Sequence, residues 1–118
     1  MENSLEKRKD PRINIAIPLR YKEMYGKSYL AKGALTKDIS NGGVRFNCDK
    51  FISLAQRLIL EIALPSASQP VRVISKVVWI KKLNTGNAYE IGNHFIAATS
   101  KDETTISSYL EKALSPVA

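Results

Sequence analysis

Polar and apolar residues alternate through most of the chain, regularly enough to divide it into elements. In INIAIPLRY, residues 13–21, Ile13, Ile15, Ile17, Leu19 and Tyr21 share one face, and Asn14, Ala16, Pro18 and Arg20 share the other. Period two is the pattern of a strand with one face buried. Pro18 has no N–H to give a ladder, so the pattern predicts an edge or a bulge there. Gly26, in YGKS, predicts a hairpin turn into a second strand over roughly residues 28–37. After the glycine pair at 42–43, Val44, Phe46 and Cys48 alternate with Arg45 and Asn47, a third strand. RLILEIALP is a fourth, with Leu58, Leu60, Ile62 and Leu64 on one face, ending at Pro65 before the loop PSASQP. VRVISKVVWI is a fifth, and LNTGN turns the chain into a sixth, AYEIGNHFIA, with Tyr89, Ile91 and Phe95 on one face.

Helical spacing is confined to the C-terminal part. Ser100 and Glu103 have the S-x-x-E spacing of a capping box, and Ile106, Tyr109, Leu110, Ala113 and Leu114 make one apolar stripe. Six strands at short spacing and then one helix predict an all-β fold. The expected form is a six-stranded antiparallel β-barrel with a C-terminal α-helix packed on or across it. Closing the sheet removes most exposed edges.

Composition narrows the picture further. A chain of 118 residues, 44% hydrophobic and 25% charged, fits one domain with a core of its own. Cys48 is the single cysteine, so no disulfide forms within the chain. No apolar run reaches the length needed to cross a bilayer, and MENSLEKRKDPR has no apolar signal core. The expectation is a cytoplasmic protein without membrane insertion. The polar, charged residues 1–12 are expected to form a flexible N-terminal arm, and residues 13–118 the barrel with its helix. The formal charge of +7 favours anionic partners, although solubility alone accounts for such a charge equally well.

Catalysis is disfavoured. The only histidine, His94, falls on the face opposite Ile91 and Phe95, a surface or rim position, and Cys48 alternates with the core residues Val44 and Phe46. There is no pair of Cys/His motifs for zinc and no G-x-x-x-x-G-K-[ST] phosphate loop. The carboxylates are scattered. Binding is the better class of hypothesis, with no cofactor and no metal.

Two polar clusters carry the candidate chemistry. RKDPR sets Arg8 and Arg12 four residues apart in a segment that Pro11 holds out of helix. Two guanidinium forks there suit planar acceptors such as phosphate oxygens or the O6/N7 edge of guanine. DISNGG has the pattern D-x-S-x-x-G, from Asp38, Ser40 and Gly43. Gly42 and Gly43 can take positive φ and admit a ligand close to the backbone. Asp38 can accept from guanine N1 and N2 or orient an arginine, and Ser40 can donate to a phosphate. Equally, Asp38 and Ser40 can satisfy the turn's own backbone.

Taken in order, R-x-x-x-R, two strands, D-x-S-x-x-G and a further strand resemble the PilZ domain family over nearly the whole chain. RKDPRINIAIPLRY is similar to the family's opening, GALTKDISNGGVRF to its second motif, LILEIALP and VVWI to its middle strands, and YEIGNHF to its closing strand. The resemblance implies a PilZ-like split barrel and binding of cyclic di-GMP, a bacterial second messenger of two guanylates and two phosphates. By motif position Arg8 and Arg12 would hold phosphate and guanine edges, and Asp38, Ser40 and Gly43 would form the opposite wall. Lys7, just before the first arginine, stands where a basic residue accompanies two stacked ligands, so the ligand set is Lys7, Arg8, Arg12, Asp38, Ser40 and Gly43. Ala55 replaces a frequent family glycine, at a turn, and Trp79 resembles the family's strand tryptophan, expected as core packing.

The implied protein is a receptor whose N-terminal arm orders on ligand binding. A chain of this length leaves no room for a fused output domain, so the expected route onward is a protein effector or self-association. Two other readings stand beside it. One is a degenerate PilZ-like module that binds only protein. The other is a small basic barrel for single-stranded nucleic acid, which would need exposed aromatics as stacking platforms. Tyr21, Phe46, Tyr89 and Phe95 fall mostly on core faces, so no nucleic-acid partner is expected.

Overall fold

The computed structural model describes residues 11–26 and 30–115. Six strands, β1 (Pro18–Glu23), β2 (Lys32–Ile39), β3 (Gly43–Cys48), β4 (Arg57–Ile62), β5 (Val71–Lys82) and β6 (Tyr89–Ala98), precede one helix, α1 (Ser100–Leu114). All strand pairs are antiparallel and close a barrel in the order β1-β2-β3-β6-β5-β4. The barrel is thus two three-stranded meanders, β1–β2–β3 and β4–β5–β6. Two seams, β1–β4 and β3–β6, join them.

The predicted inward faces fill the barrel. Leu19, Tyr21, Val44, Phe46, Leu58, Leu60, Ile62, Val71, Val73, Val77 and Ile91 are buried, and the Tyr21 and Phe46 rings meet at 5.1 Å between centroids. Each such side chain removed from water contributes about 1.5–3 kcal/mol before entropy is set against it. Cys48 is buried as expected, and burial holds its thiol above the ordinary range. His94 is exposed. No helix among the described residues is long and apolar enough to cross a membrane.

The first strand starts later than its alternation suggested. Residues 13–17 keep the in-out pattern, yet a regular ladder begins only at Pro18, the position where a strand tolerates proline. The stretch before it is tied differently. Ile13 and Ile39 exchange both backbone hydrogen bonds, at 2.9 and 3.0 Å. The Thr36 hydroxyl accepts from the Ile17 N–H at 2.9 Å and donates to the Ile15 carbonyl.

Three further expectations change. β2 runs to Ile39, so Asp38 is a strand residue and the turn is confined to residues 40–42. Among the described residues the glycine with positive φ is Gly86, so neither Gly42 nor Gly43 uses the left-handed region. Trp79 is not core. The β5–β6 register shifts between Val77 and Trp79, which leaves Val78 as an extra residue and flips the strand's phase. Val77 stays buried while Trp79 is 38% exposed, its indole lying over Gly92, where an added Cβ would overlap the ring.

Helix α1 begins one residue earlier in its cap than the S-x-x-E spacing predicted. Thr99 is the N-cap, its hydroxyl accepting from the Asp102 N–H at 3.1 Å. Ile106 and Leu110 join the barrel's core, whereas Ala113 and Leu114 at the end of the stripe are exposed. The Asp102 carboxylate also accepts from the Arg72 N–H at 3.1 Å, which fixes the helix start to β5.

Candidate functional site

The paired Ile13–Ile39 backbones bring Arg12 beside the end of β2. There Arg12 Nη1 donates to Asp38 Oδ1 at 2.9 Å. The two clusters that lie far apart in the sequence therefore meet at these residues. Lys7 and Arg8 lie outside the described residues.

Asp38 is almost fully buried, its side chain 5% exposed, and a second arginine satisfies its other oxygen. Arg45 Nη2 lies 2.8 Å from Asp38 Oδ2, and Arg45 Nη1 lies 3.1 Å from Glu90 Oε2. The order Arg12–Asp38–Arg45–Glu90 alternates in charge across four neighbouring pieces of chain, the segment before β1, then β2, β3 and β6. A carboxylate gripped on both oxygens serves here to orient two guanidinium groups, one of the roles its residue type suggested. Each guanidinium has more N–H donors than the pairs consume, and Arg45 Nε is buried with no hydrogen-bond partner. Arg12 and Arg45 are each more than a third exposed, so their free edges can meet a planar anion.

Arg45 and Glu90 were not singled out from the sequence. A signal for Arg45 was present in principle. A hairpin with four residues, 40–43, between the paired Ile39 and Val44 sets Asp38 opposite Arg45. Glu90 had none, because its approach depends on the β3–β6 seam.

Ser40 is buried and occupied by its own turn. Its hydroxyl accepts from the Gly42 N–H at 3.1 Å, and its backbone N–H donates to the Gly43 carbonyl at 2.9 Å. Gly43 sits tight against β6: a Cβ there would overlap the Asn93 carbonyl oxygen. The Phe95 N–H donates to the Gly42 carbonyl at 2.9 Å, and Ser107 of α1 donates to Asn41 Oδ1 at 3.0 Å. Strand β6 and the helix thus hold the turn from two sides. Among the described residues no group of three or more His, Cys, Asp or Glu is placed to hold a metal ion.

Comparison with known proteins agrees with this architecture. The family model described as PilZ domain matches residues 6–112. No curated protein matches by sequence. Among solved structures, the fold is similar to that of the Bacillus subtilis inhibitor of motility MotI/DgrA, at 15% identity and a TM-score of 0.71. That match covers 91% of this chain and 51% of the other. It is similar to the PilZ domain with c-di-GMP of YcgR from Escherichia coli, at 15% identity and a TM-score of 0.64, covering 91% and 94%. It is also similar to the K. pneumonia MrkH–c-di-GMP complex, at 19% identity and a TM-score of 0.67, covering 91% and 51%. The chain spans about half the length of MotI/DgrA and of MrkH.

Proposed function

The chain belongs to the PilZ domain family, and on that footing we propose that it is a cyclic di-GMP receptor that signals by binding and not by catalysis. The observation that carries the reading is the buried Asp38 carboxylate holding Arg12 and Arg45 as forks beside the D-x-S-x-x-G turn. A flat dianion rich in guanine edges and phosphate oxygens matches donors of that geometry. Arg8 and Lys7 would add cationic donors from the arm, Arg12 would turn its free edge to the ligand, and the turn at Ser40 and Gly43 would form the wall beneath it. The relatives whose structures contain c-di-GMP support the ligand's identity.

In this proposal Arg12 already stands on Asp38, the ligand bridges the rest of the arm to that wall and orders the residues before Arg12 against the barrel, and a partner protein senses the change. Calorimetry on the full chain with cyclic di-GMP tests the reading and gives the stoichiometry, two per chain if Lys7 plays its proposed part. Saturable binding is expected, and its absence overturns the reading. Arg8→Ala and Arg12→Ala should each weaken binding by about 2–5 kcal/mol, roughly thirty-fold or more. Unchanged affinity removes that residue from the site. Arm ordering is checked separately: amide exchange at residues 5–12 should slow with ligand, and identical exchange rules it out.

A further inference from the structure

Outward-facing residues on strands usually alternate polar with core apolar, but β4 and β5 place isoleucines outward. Lys22, Ile59, Ile74 and Ala97 form one continuous row across β1, β4, β5 and β6 by strand register. On one side of it runs the row Arg20, Glu61, Arg72. On the other, Arg57 faces Lys76 and Lys76 faces His94. The face is therefore an apolar floor between two basic borders. Two connected depressions mark it, of about 540 and 200 Å³, sharing Ile59 and Arg72. The larger one reaches Met24 and the start of α1.

The charge on this face has no internal use. Arg20, Lys22, Arg57, Arg72 and Lys76 carry five positive charges, and none of them makes a side-chain ion pair with a described residue. Elsewhere Lys32, Lys50, Arg12 and Arg45 are paired, whereas Lys37, Lys81, Lys82, Lys101 and Lys112 likewise make no side-chain ion pair with a described residue; what sets this face apart is that its cations flank an apolar row. Glu61 is the single acid within the rows and Asp102 borders the larger depression, so the five cations still outnumber the acids on this face. Its centre, at Ile59 and Ile74, lies on β4 and β5, which pair with neither β2 nor β3, although the border reaches His94 of β6, the partner of Gly43.

We propose that this outer face of β1, β4 and β5 docks an acidic protein segment carrying apolar side chains. The acids meet the basic borders, and the apolar side chains cover Ile59 and Ile74. The borders give orientation and encounter rate, while desolvation of the isoleucines gives the discrimination that charge alone lacks. An apolar floor separates this occupant from nucleic acid, which would present phosphate to it, and a groove between two rows separates it from a flat lipid surface.

The test uses the full chain, isotope-labelled, at about 0.15 M salt, where exposed charges beyond about 8 Å are screened. The probe is a short synthetic peptide of aspartates and glutamates around two leucines, with a leucine-to-serine control peptide. Saturable shifts centred on Ile59 and Ile74, with at least about fivefold weaker binding of the control, are expected. Arg57→Gln with Lys76→Gln should weaken the leucine peptide several-fold, and Ile59→Ser with Ile74→Ser should bring it to the control's level. Cyclic di-GMP titration of these variants should match the unaltered chain, so failure of this inference is distinct from failure of the nucleotide reading. Shifts spread over unrelated lysines, or equal binding of the two peptides, overturn the proposal. So does tighter binding of a single-stranded oligonucleotide or of phosphatidylglycerol vesicles at this face.

Discussion

A β-carbon at Gly43 would overlap the carbonyl oxygen of Asn93 on the facing strand, and backbone atoms cannot swing aside as a side-chain tip can. Ala55 presents the converse case. Its φ of +70° lies in the left-handed region, which costs an L-residue about 1–2 kcal/mol and glycine almost nothing. The two positions should respond oppositely to exchange. Gly43→Ala should destabilise the fold by about 1–3 kcal/mol or more through overpacking. Ala55→Gly should stabilise it by about 0.5–1 kcal/mol, the strain relieved less the extra chain entropy of glycine. Denaturant midpoints at constant slope check both. The need for glycine at 43 was legible in DISNGG, but one cause of it was not. Beside the ligand that the motif suggests, the backbone of Asn93, fifty residues on, already demands it. The juxtaposition of Arg12 with Asp38 rests on a single backbone bridge, Ile13 to Ile39, which no local pattern announces.

At the scale of elements, six strands and a helix were readable because burial imposes a period, and the period is written in consecutive residues. Bulges are different. Whether Val78 is accommodated as an extra residue depends on how β5 meets β6, so the resemblance that put Trp79 in the core could not show where the strand's phase would break. The helix start shows a milder form of the same limit. Thr99 and Ser100 are both good caps, and Asp102 decides between them by donating its N–H to Thr99 while its carboxylate reaches the Arg72 N–H. Thr99→Ala should therefore cost about 1 kcal/mol. Ser100→Ala should cost much less, since Ser100 already lies inside the helix. Thermal or chemical unfolding of the two variants side by side distinguishes these caps.

For the molecule as a whole, the closed barrel makes interior protonation a global matter. Burial, backed by the negative charges available at Cys48 and Asp49, pushes the Tyr21 hydroxyl up to about 12. An unfolded tyrosine releases its proton near 10. Between those values the unfolded chain binds fewer protons than the folded one, so stability falls as pH rises through that window. Unfolding free energies measured from pH 9 to about 12 should decline more steeply for the native sequence than for Tyr21→Phe. Closure has another consequence. The barrel consists of two meanders, and the connection from β3 to β4 is the only stretch of chain between them. Nicked between residues 49 and 56, the molecule would divide into two half-barrels, each with two unpaired edges. Arg12, Asp38 and Arg45 would travel with the first half, and Glu90 and Asn93 with the second. Neither half could shield its apolar face alone, so the two fragments should reassociate through both seams at once, rebuilding the arginine-bearing ledge only as a pair.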